Sequence, residues 1–412
     1  MTTKSGPVGD SATLPPAIVI GVDSPIGLTV IRELGKRGVP VIGVGSSKYS
    51  VGGASRYLKH FFRRPETRTI PEWLPGLIRQ YDAKAVLAIS ESDLLQLAEM
   101  PDDIEGCQIL TPRQPQLGEV LDKSRTMAVA RDLGLDTPDS WQPSAEDDFA
   151  EIARVLAYPL AIKWNDPQAI GPVLSEHQIA FEKVEYAANA EELLGILRRY
   201  DNVQAWPLVQ SYCPGTGFGQ MLLMRDGKAA LTFQHRRLHE WPVTGGVSTL
   251  CTNEAPERHR DQLAKSEKLL RAINWDGPAM VEYRYDPETG RYCLMEVNGR
   301  FWGSLPLAHH SGAFFAWETY AGRILGLEVD ETSQSSRSIK ACYLIPETKR
   351  LAQILRQDVE PKGYAERIMI LGGYIRDRLN PRMHYYIFSW RDPKPCIVDM
   401  IGIIVRLRHR GK

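Results

Sequence analysis

Residues 294–304 read LMEVNGRFWGS. Glu296 sits inside an apolar, strand-like run, Asn298 follows two residues later, and Gly299 and Arg300 close it. A carboxylate is costly to bury in a strand unless something pairs with it, so the question is what Glu296 faces. The answer starts just upstream. AMVEYRYD (279–286), PETG (287–290) and RYCLMEVN (291–298) read as strand, turn and strand, a β-hairpin. If Asp286 pairs with Tyr292, then Glu282 stands opposite Glu296. Both point to one face, with Cβ atoms about 5 Å apart. Asn298 shares that face by the period of two. Two carboxylates that close repel, and one protonates unless a cation lies between them. Two carboxylates and an amide suit Mg²⁺, which keeps waters and takes phosphate oxygens. A solvated hairpin face is the bland alternative, and the hairpin alone leaves both readings open.

Working outward, the chain of 412 residues has room for two or three domains. Its 50 basic and 50 acidic side chains balance, so no bulk field favours nucleic acid or an anionic membrane. Six scattered cysteines (107, 213, 251, 293, 342, 396) without a CxxC pair argue against zinc and against a disulfide framework, and for a reducing compartment. Residues 1–16 read as a flexible lead rather than a signal peptide, and no apolar run reaches the length of a membrane span. A cytoplasmic protein is expected.

The stretch AIVIGVDSPIGLTVIRELGKRGVPVIGVG (17–45) reads as strand (17–21), turn (21–27), helix (28–36) and strand (39–44). This βαβ unit opens a Rossmann-like domain over 17–116. Its turn, GVDSPIG, is neither GxGxxG nor a phosphate loop, and Pro25 removes a donor where a phosphate would need one. A scaffold or a substrate-side domain is the reading, with Ser90, Glu91 and Asp93 after VLAIS (86–90) at the strand ends where open α/β sheets hold ligands.

A second part runs over 117–330. DKS (122–124) begins a helix, and Lys123 there is either an exposed helix charge or something more. YPLAIKWN (158–165) is a short apolar strand carrying Lys163, which either snorkels from an edge or reaches a phosphate. VQSYCPGTGFG (209–219) is a strand end followed by glycines, either a plain connection or a bare edge able to read a flat base. The tail, IVDMIGIIVRLRHRGK (397–412), pairs an apolar run with arginines and is too short to span a bilayer. It either docks on the core, touches a membrane surface, or meets another subunit.

Taken in this order, the features resemble the ATP-grasp superfamily, and within it the carboxylate–amine ligase type. LMEVNGRFWGSLPLA is the most specific piece, with LDKSRTMAVARDLGLDTP and HRRLHEWPVTGGVST also similar, and the resemblance covers roughly 17–325. It implies an α/β chain with a Rossmann-like leading domain, then a two-part clamp: a lid subdomain (about 140–210), a catalytic core (about 211–330), and an extension over 331–412. It implies ATP and Mg²⁺, with Mn²⁺ as a substitute. Lys123 and Lys163 match the lysines on the nucleotide phosphates, and Gln210, Ser211, Tyr212 and Cys213 match the hinge that holds adenine and ribose. Glu282, Glu296 and Asn298 match the metal ligands, and Arg300 the basic residue at the transferred phosphoryl group. The implied reaction activates a carboxylate as an acyl phosphate, which an amine then attacks, leaving an amide, ADP and phosphate.

Around that machinery, Arg236 and Arg237 are placed to clamp a substrate carboxylate, and Gly245, Gly246 and Ser248 to donate hydrogen bonds to an oxyanion. Glu91 joins them as a substrate-side residue. Phe301 and Trp302 read as core aromatics. Two departures stand out. The segment after the lysine strand, NDPQAIGPVLSEHQIAFEK (165–183), is not glycine-rich, and the hinge carries Ser211 beside Gln210 instead of a glutamate. Partners are small carboxylate and amine substrates, without nucleic acid; a homodimer is compatible. Two other classes remain: a non-catalytic nucleotide-binding module, and a dinucleotide-dependent redox enzyme, which the missing GxGxxG disfavours.

Overall fold

In the computed structural model, residues 13–165, 167–242, 246–329, 338–356 and 363–410 are described. Three sheets organise them. The first holds β1 (Ala17–Ile20), β2 (Val41–Gly45), β3 (His60–Arg63), β4 (Ala85–Ala88), β5 (Asp103–Ile104) and β6 (Cys107–Ile109), in the order β3-β2-β1-β4-β6-β5. All neighbours in it run parallel except the short β5 edge. The second holds β7 (Ser140–Trp141), β8 (Leu160–Lys163), β9 (Glu185–Ala187) and β10 (Leu208–Ser211), antiparallel in the order β7-β10-β8-β9. The third holds β11 (Thr216–Arg225), β12 (Lys228–Trp241), β13 (Val247–Asn253), β14 (Gly277–Asp286), β15 (Arg291–Asn298), β16 (Lys340–Cys342) and β17 (Met383–Tyr385). Its order is β15-β14-β11-β12-β13-β16-β17.

The leading βαβ unit forms as its pattern predicts, with one shift. The helix starts at Pro25, inside the expected turn, because Ser24 caps it by accepting from Gly27 N and proline suits the first helical position. The segment after Lys163, expected to be irregular, contains a helix over Pro167–Glu176 with Pro172 inside it. The stretch after 338 is no appendage. β16 and β17 extend the edge of the large sheet beyond β13.

Packing divides the molecule unevenly. One apolar cluster joins the leading domain to the large sheet, running from Val19, Leu28 and Ile31 to Met221, Phe233, Trp302 and Phe315. Within that seam Glu33 is fully buried and accepts from the amides of Ala316 (2.8 Å) and Trp317 (3.1 Å) at the start of helix Phe315–Ile324. Phe301 and Trp302 belong to this core. The four-stranded sheet has a separate core drawn only from its own segment, around Leu160, Ile162, Leu193, Tyr200, Trp206 and Val209.

Candidate active site

The β14–β15 hairpin does bring Glu282 opposite Glu296, though not by the expected register. At the turn Asp286 pairs with Arg291, one residue off the assumed partner, and a bulge between Glu282 and Tyr283 restores the alignment. The bulge lies beside the acids and re-aims them. Asn298 donates to Glu296 Oε1 at 3.0 Å, so both lie on the same face. Lys123, at the start of helix Lys123–Asp132, reaches Glu296 Oε2 at 3.1 Å. That helix is capped by Asp122, which accepts from the amides of Ser124 and Arg125 and so fixes where Lys123 leaves the backbone.

Glu282 is held from the other side. Arg237 Nη2 on β12 donates to Glu282 Oε2 at 2.6 Å, although β11 lies between the two strands. The path across is open because β11 presents Gly217 and Gly219 to this face. Gly219 stands between His235 and Glu282 in the register, and Gly217 lies beside Arg237. A Cβ at Gly217 would lie 2.6 Å from Arg237 Cδ, and one at Gly219 would lie 2.8 Å from His235 Nε2. The two glycines therefore form a trough in the sheet rather than the tight turns read from the sequence. His235 and Glu240 border this trough and were not singled out from the sequence; the alternation G-x-G within a strand was the available signal. His235 bonds Ser304 at 2.7 Å, and burial pushes its imidazole down to about 3, so it stays neutral.

The acids are electrostatically unequal. Burial raises Glu282, Arg237 opposes that rise, and neighbouring Glu296 adds to it. Burial acts on Glu296 in the same direction, but Lys123, the Asn298 amide and Lys163 outweigh it and hold the carboxyl at about 2. Lys163, on β8, is pushed down first by burial and then by Lys123, and is drawn up by Glu296 and Glu282. Among the described residues no carboxylate lies within ion-pair distance of it. Two lysines thus converge on one carboxylate pair.

The hinge differs from expectation in its backbone. Ser211 N donates to Asp139 O (2.9 Å) and Tyr212 N to Pro159 O (3.1 Å), so those amides are spent within the sheet. β10 ends at Ser211, and Cys213 lies in the connection to β11. Gln210 is buried and its side chain donates to Ser140 Oγ (2.8 Å), while Ser211 Oγ accepts from Asp139 N (3.0 Å). Tyr212 is partly exposed, edge-on to Tyr186. Cys213 forms a disulfide with Cys293 on β15. The scattered cysteines argued against a disulfide framework; the structure has this one bond, and the other four cysteines are free. Cysteines 80 positions apart carry no spacing signal, and only the sheet topology brings them together.

The remaining residues scatter. Arg236 points to the opposite sheet face from Arg237, as neighbours in a strand must. It pairs with Glu254 at 2.9 Å, beside a cleft of about 830 Å³. It therefore lies on the other side of the sheet from Glu282. Arg300 donates to Glu91 Oε1 at 3.0 Å, bridging the hairpin's exit to the helix Glu91–Ala98 of the leading domain. Next to Glu91 on that helix, Asp93 accepts from Ser90 Oγ (2.7 Å) and pairs with Arg64. Ser248 stands opposite Glu240 in the β12–β13 register, and Gly246 packs under Trp241. Gly245 lies outside the described residues.

Two carboxylates and an amide fall short of a complete cation cage, and among the described residues no group of three or more His, Cys, Asp or Glu side chains is placed to hold a metal alone. The donor set suits an ion that brings its own phosphate and water ligands.

No family model matches the chain. Solved structures do. The biotin carboxylase domain of Hydrogenobacter thermophilus 2-oxoglutarate carboxylase, in complex with MgADP, ADP and bicarbonate, matches with a TM-score of 0.60 at 15% identity, over 81% of this chain and 75% of that one. An L-amino acid ligase from Bacillus licheniformis matches with a TM-score of 0.58 at 14% identity, over 80% of both chains. Rhizobium etli pyruvate carboxylase, solved with acetyl coenzyme A, gives 0.58 at 15% identity over 79% of this chain; the chain spans only 31% of that protein's length. The architecture is that of the ATP-grasp fold.

Proposed function

We propose that the chain is an ATP-dependent carboxylate–amine ligase that works through an acyl phosphate. The observation that carries this reading is the convergence of Lys123 and Lys163 on Glu282 and Glu296, with Lys163 lacking a carboxylate partner among the described residues. Bringing two ammonium groups together beside a half-closed carboxylate pair is unfavourable without a polyanion to share them. A nucleotide triphosphate satisfies both lysines, and Glu282, Glu296 and Asn298 would hold its Mg²⁺. That ion, when bound, neutralises phosphate charge as the γ-phosphoryl group moves.

The chain's own groups then divide the work. Lys123 leaves Glu296 for a phosphate oxygen, and Lys163 binds beside it. Arg237 keeps Glu282 oriented across the glycine trough. Adenine lies beside the hinge formed by Gln210, Ser211, Tyr212 and Cys213. A substrate carboxylate oxygen attacks the γ-phosphorus, the bond to the β-phosphate oxygen breaks, and ADP leaves. The amine nitrogen attacks the acyl carbon, phosphate departs, and the amine proton goes to phosphate or solvent. Arg300 and Glu91 lie where the leading domain meets the hairpin's exit, and belong to the substrate side. The L-amino acid ligase and the biotin carboxylase domains with nucleotide among the solved relatives support this chemistry.

A non-catalytic nucleotide sensor is the second reading, favoured by the proline-bearing helix Pro167–Glu176 where the resembled family often carries a glycine- or serine-rich lid loop. Screening acids for ADP release in the presence of hydroxylamine separates the two. A ligase yields a hydroxamate from each acid that stimulates ADP release. ADP release without hydroxamate from any acid refutes the acyl phosphate, and ATP binding with no acid-dependent release favours the sensor.

A further inference from the structure

The helix Lys394–Arg410 carries an apolar stripe on its outward face. Its solvent-facing positions, spaced three and four residues apart, are Ile397, Met400, Ile401 and Ile404, each 44% to 57% exposed. Trp390, just before it, is 88% exposed. Pro395 and Gly402 are buried, Cys396, Val398, Asp399, Ile403 and Val405 are half-buried, and Gly402 packs on Tyr49 of the leading domain. A surface helix of a globular protein ordinarily shows the opposite pattern. The helix Tyr364–Leu379 repeats it, with Ile368, Leu371, Ile375 and Leu379 exposed.

This stripe is held in place. Asp392 is buried and accepts from Arg32 Nε (3.1 Å), Ser55 Oγ (2.7 Å) and Arg56 N (2.9 Å), while Arg32 also donates to Ile387 O (2.7 Å). The network pins the segment just before the helix to the leading domain, so the apolar face is presented, not loose. Its charge is one-sided. Arg391, Lys394, Arg406 and Arg408 are exposed around the stripe, and the helix's one acid, Asp399, is half-buried near Arg406.

We propose that this face docks the protein on an anionic lipid bilayer, lying in the interface plane. The apolar stripe enters the acyl boundary, Trp390 sits at headgroup level, and the flanking cations meet the lipid phosphates. A second copy of the chain is the poorer occupant, because two surfaces ringed by the same basic residues repel each other. No helix among the described residues is long and apolar enough to cross a membrane, so the contact is peripheral. This inference is independent of the ligase reading.

Vesicle co-sedimentation of the full chain tests it. Binding is expected with vesicles of phosphatidylcholine mixed with phosphatidylglycerol, weakening as salt rises, and little with phosphatidylcholine alone. Ile401→Glu with Ile404→Glu should lower partitioning about tenfold or more, and Arg408→Ala about fivefold. Ile401→Ser with Ile404→Ser repeats the test with a milder change, and circular dichroism verifies folding. Val155→Glu, at an exposed position elsewhere, should leave binding unchanged. Absence of sedimentation with the anionic vesicles, equal binding to neutral ones, or stripe variants that bind like wild type would overturn the proposal. So would a dimer in analytical ultracentrifugation that the stripe variants dissociate, which would assign the face to a second copy.

Discussion

The glycine trough makes a prediction whose sign separates two accounts of Gly217. In an extended strand whose backbone an L residue can adopt, replacing glycine by alanine stabilises by about 0.4–1 kcal/mol through the unfolded chain. The structure predicts the reverse for Gly217→Ala. The new methyl would lie 2.6 Å from Arg237 Cδ and 3.0 Å from Glu240 Oε1, whereas ordinary contact begins near 3.4 Å, so Arg237 must yield by about 0.8 Å. Arg237 has little freedom to do so, since its guanidinium is committed to Glu282 at 2.6 Å and to Glu240 at 3.6 Å. Overpacking of this kind costs roughly 1–3 kcal/mol. The net expectation is a loss of about 1–2 kcal/mol. A displacement near 1 Å in a positioning group costs about a hundredfold in turnover. Urea denaturation gives the first quantity, and ADP release at saturating Mg²⁺ and ATP the second. A Gly217→Ala protein that is more stable than wild type and turns over normally would show that Arg237 does not cross β11 to Glu282.

Glu296→Gln should lower Mg²⁺-dependent ADP release by about 10²–10³-fold in a protein that still folds; wild-type rates would remove Glu296 from the metal site. Lys163→Met should leave stability unchanged or raise it by roughly 1 kcal/mol, because it removes a half-buried cation with no carboxylate in ion-pair distance among the described residues. The same change should weaken ATP binding in calorimetry by about tenfold or more, and unaltered affinity would dismiss the phosphate role. Glu33 supplies the pH test. Burial raises its carboxyl to about 7, against the opposing amides of Trp317 and Ala316. Its stabilisation is therefore complete below the ordinary carboxylate range and is lost as pH rises through 7, by roughly 3 kcal/mol. Glu33→Gln keeps an acceptor for the two amides and should flatten the stability profile between pH 5 and 8; an unchanged slope would point to other groups.

What the sequence revealed tracks how local each feature is. The βαβ opening and the hairpin were legible because periodicity and turn residues act over a few positions. The pairing of Glu282 with Glu296 was reached through a register one residue wrong at the turn, rescued by a bulge that no pattern announced. The faces of Arg236 and Arg237 follow from strand alternation, yet which one meets the acids depends on three-dimensional neighbours. The trough required knowing that β11 lies between β12 and β14, a fact of sheet order. The segment 165–183 reads as lacking the glycines of a phosphate cover, and no local pattern announced the helix that Pro167 starts, where a missing amide costs nothing. Cys213 and Cys293 met for the same topological reason as the trough, across segments that sequence distance keeps apart.

The division of cores has a mechanical consequence. Because the leading domain and the seven-stranded sheet share one continuous interior, sliding one past the other would expose it. The four-stranded sheet carries its own interior, so moving it as a body would leave both apolar clusters intact. The Cys213–Cys293 bond, just past the last strand of that sheet, tethers its separate interior to β15 of the large sheet.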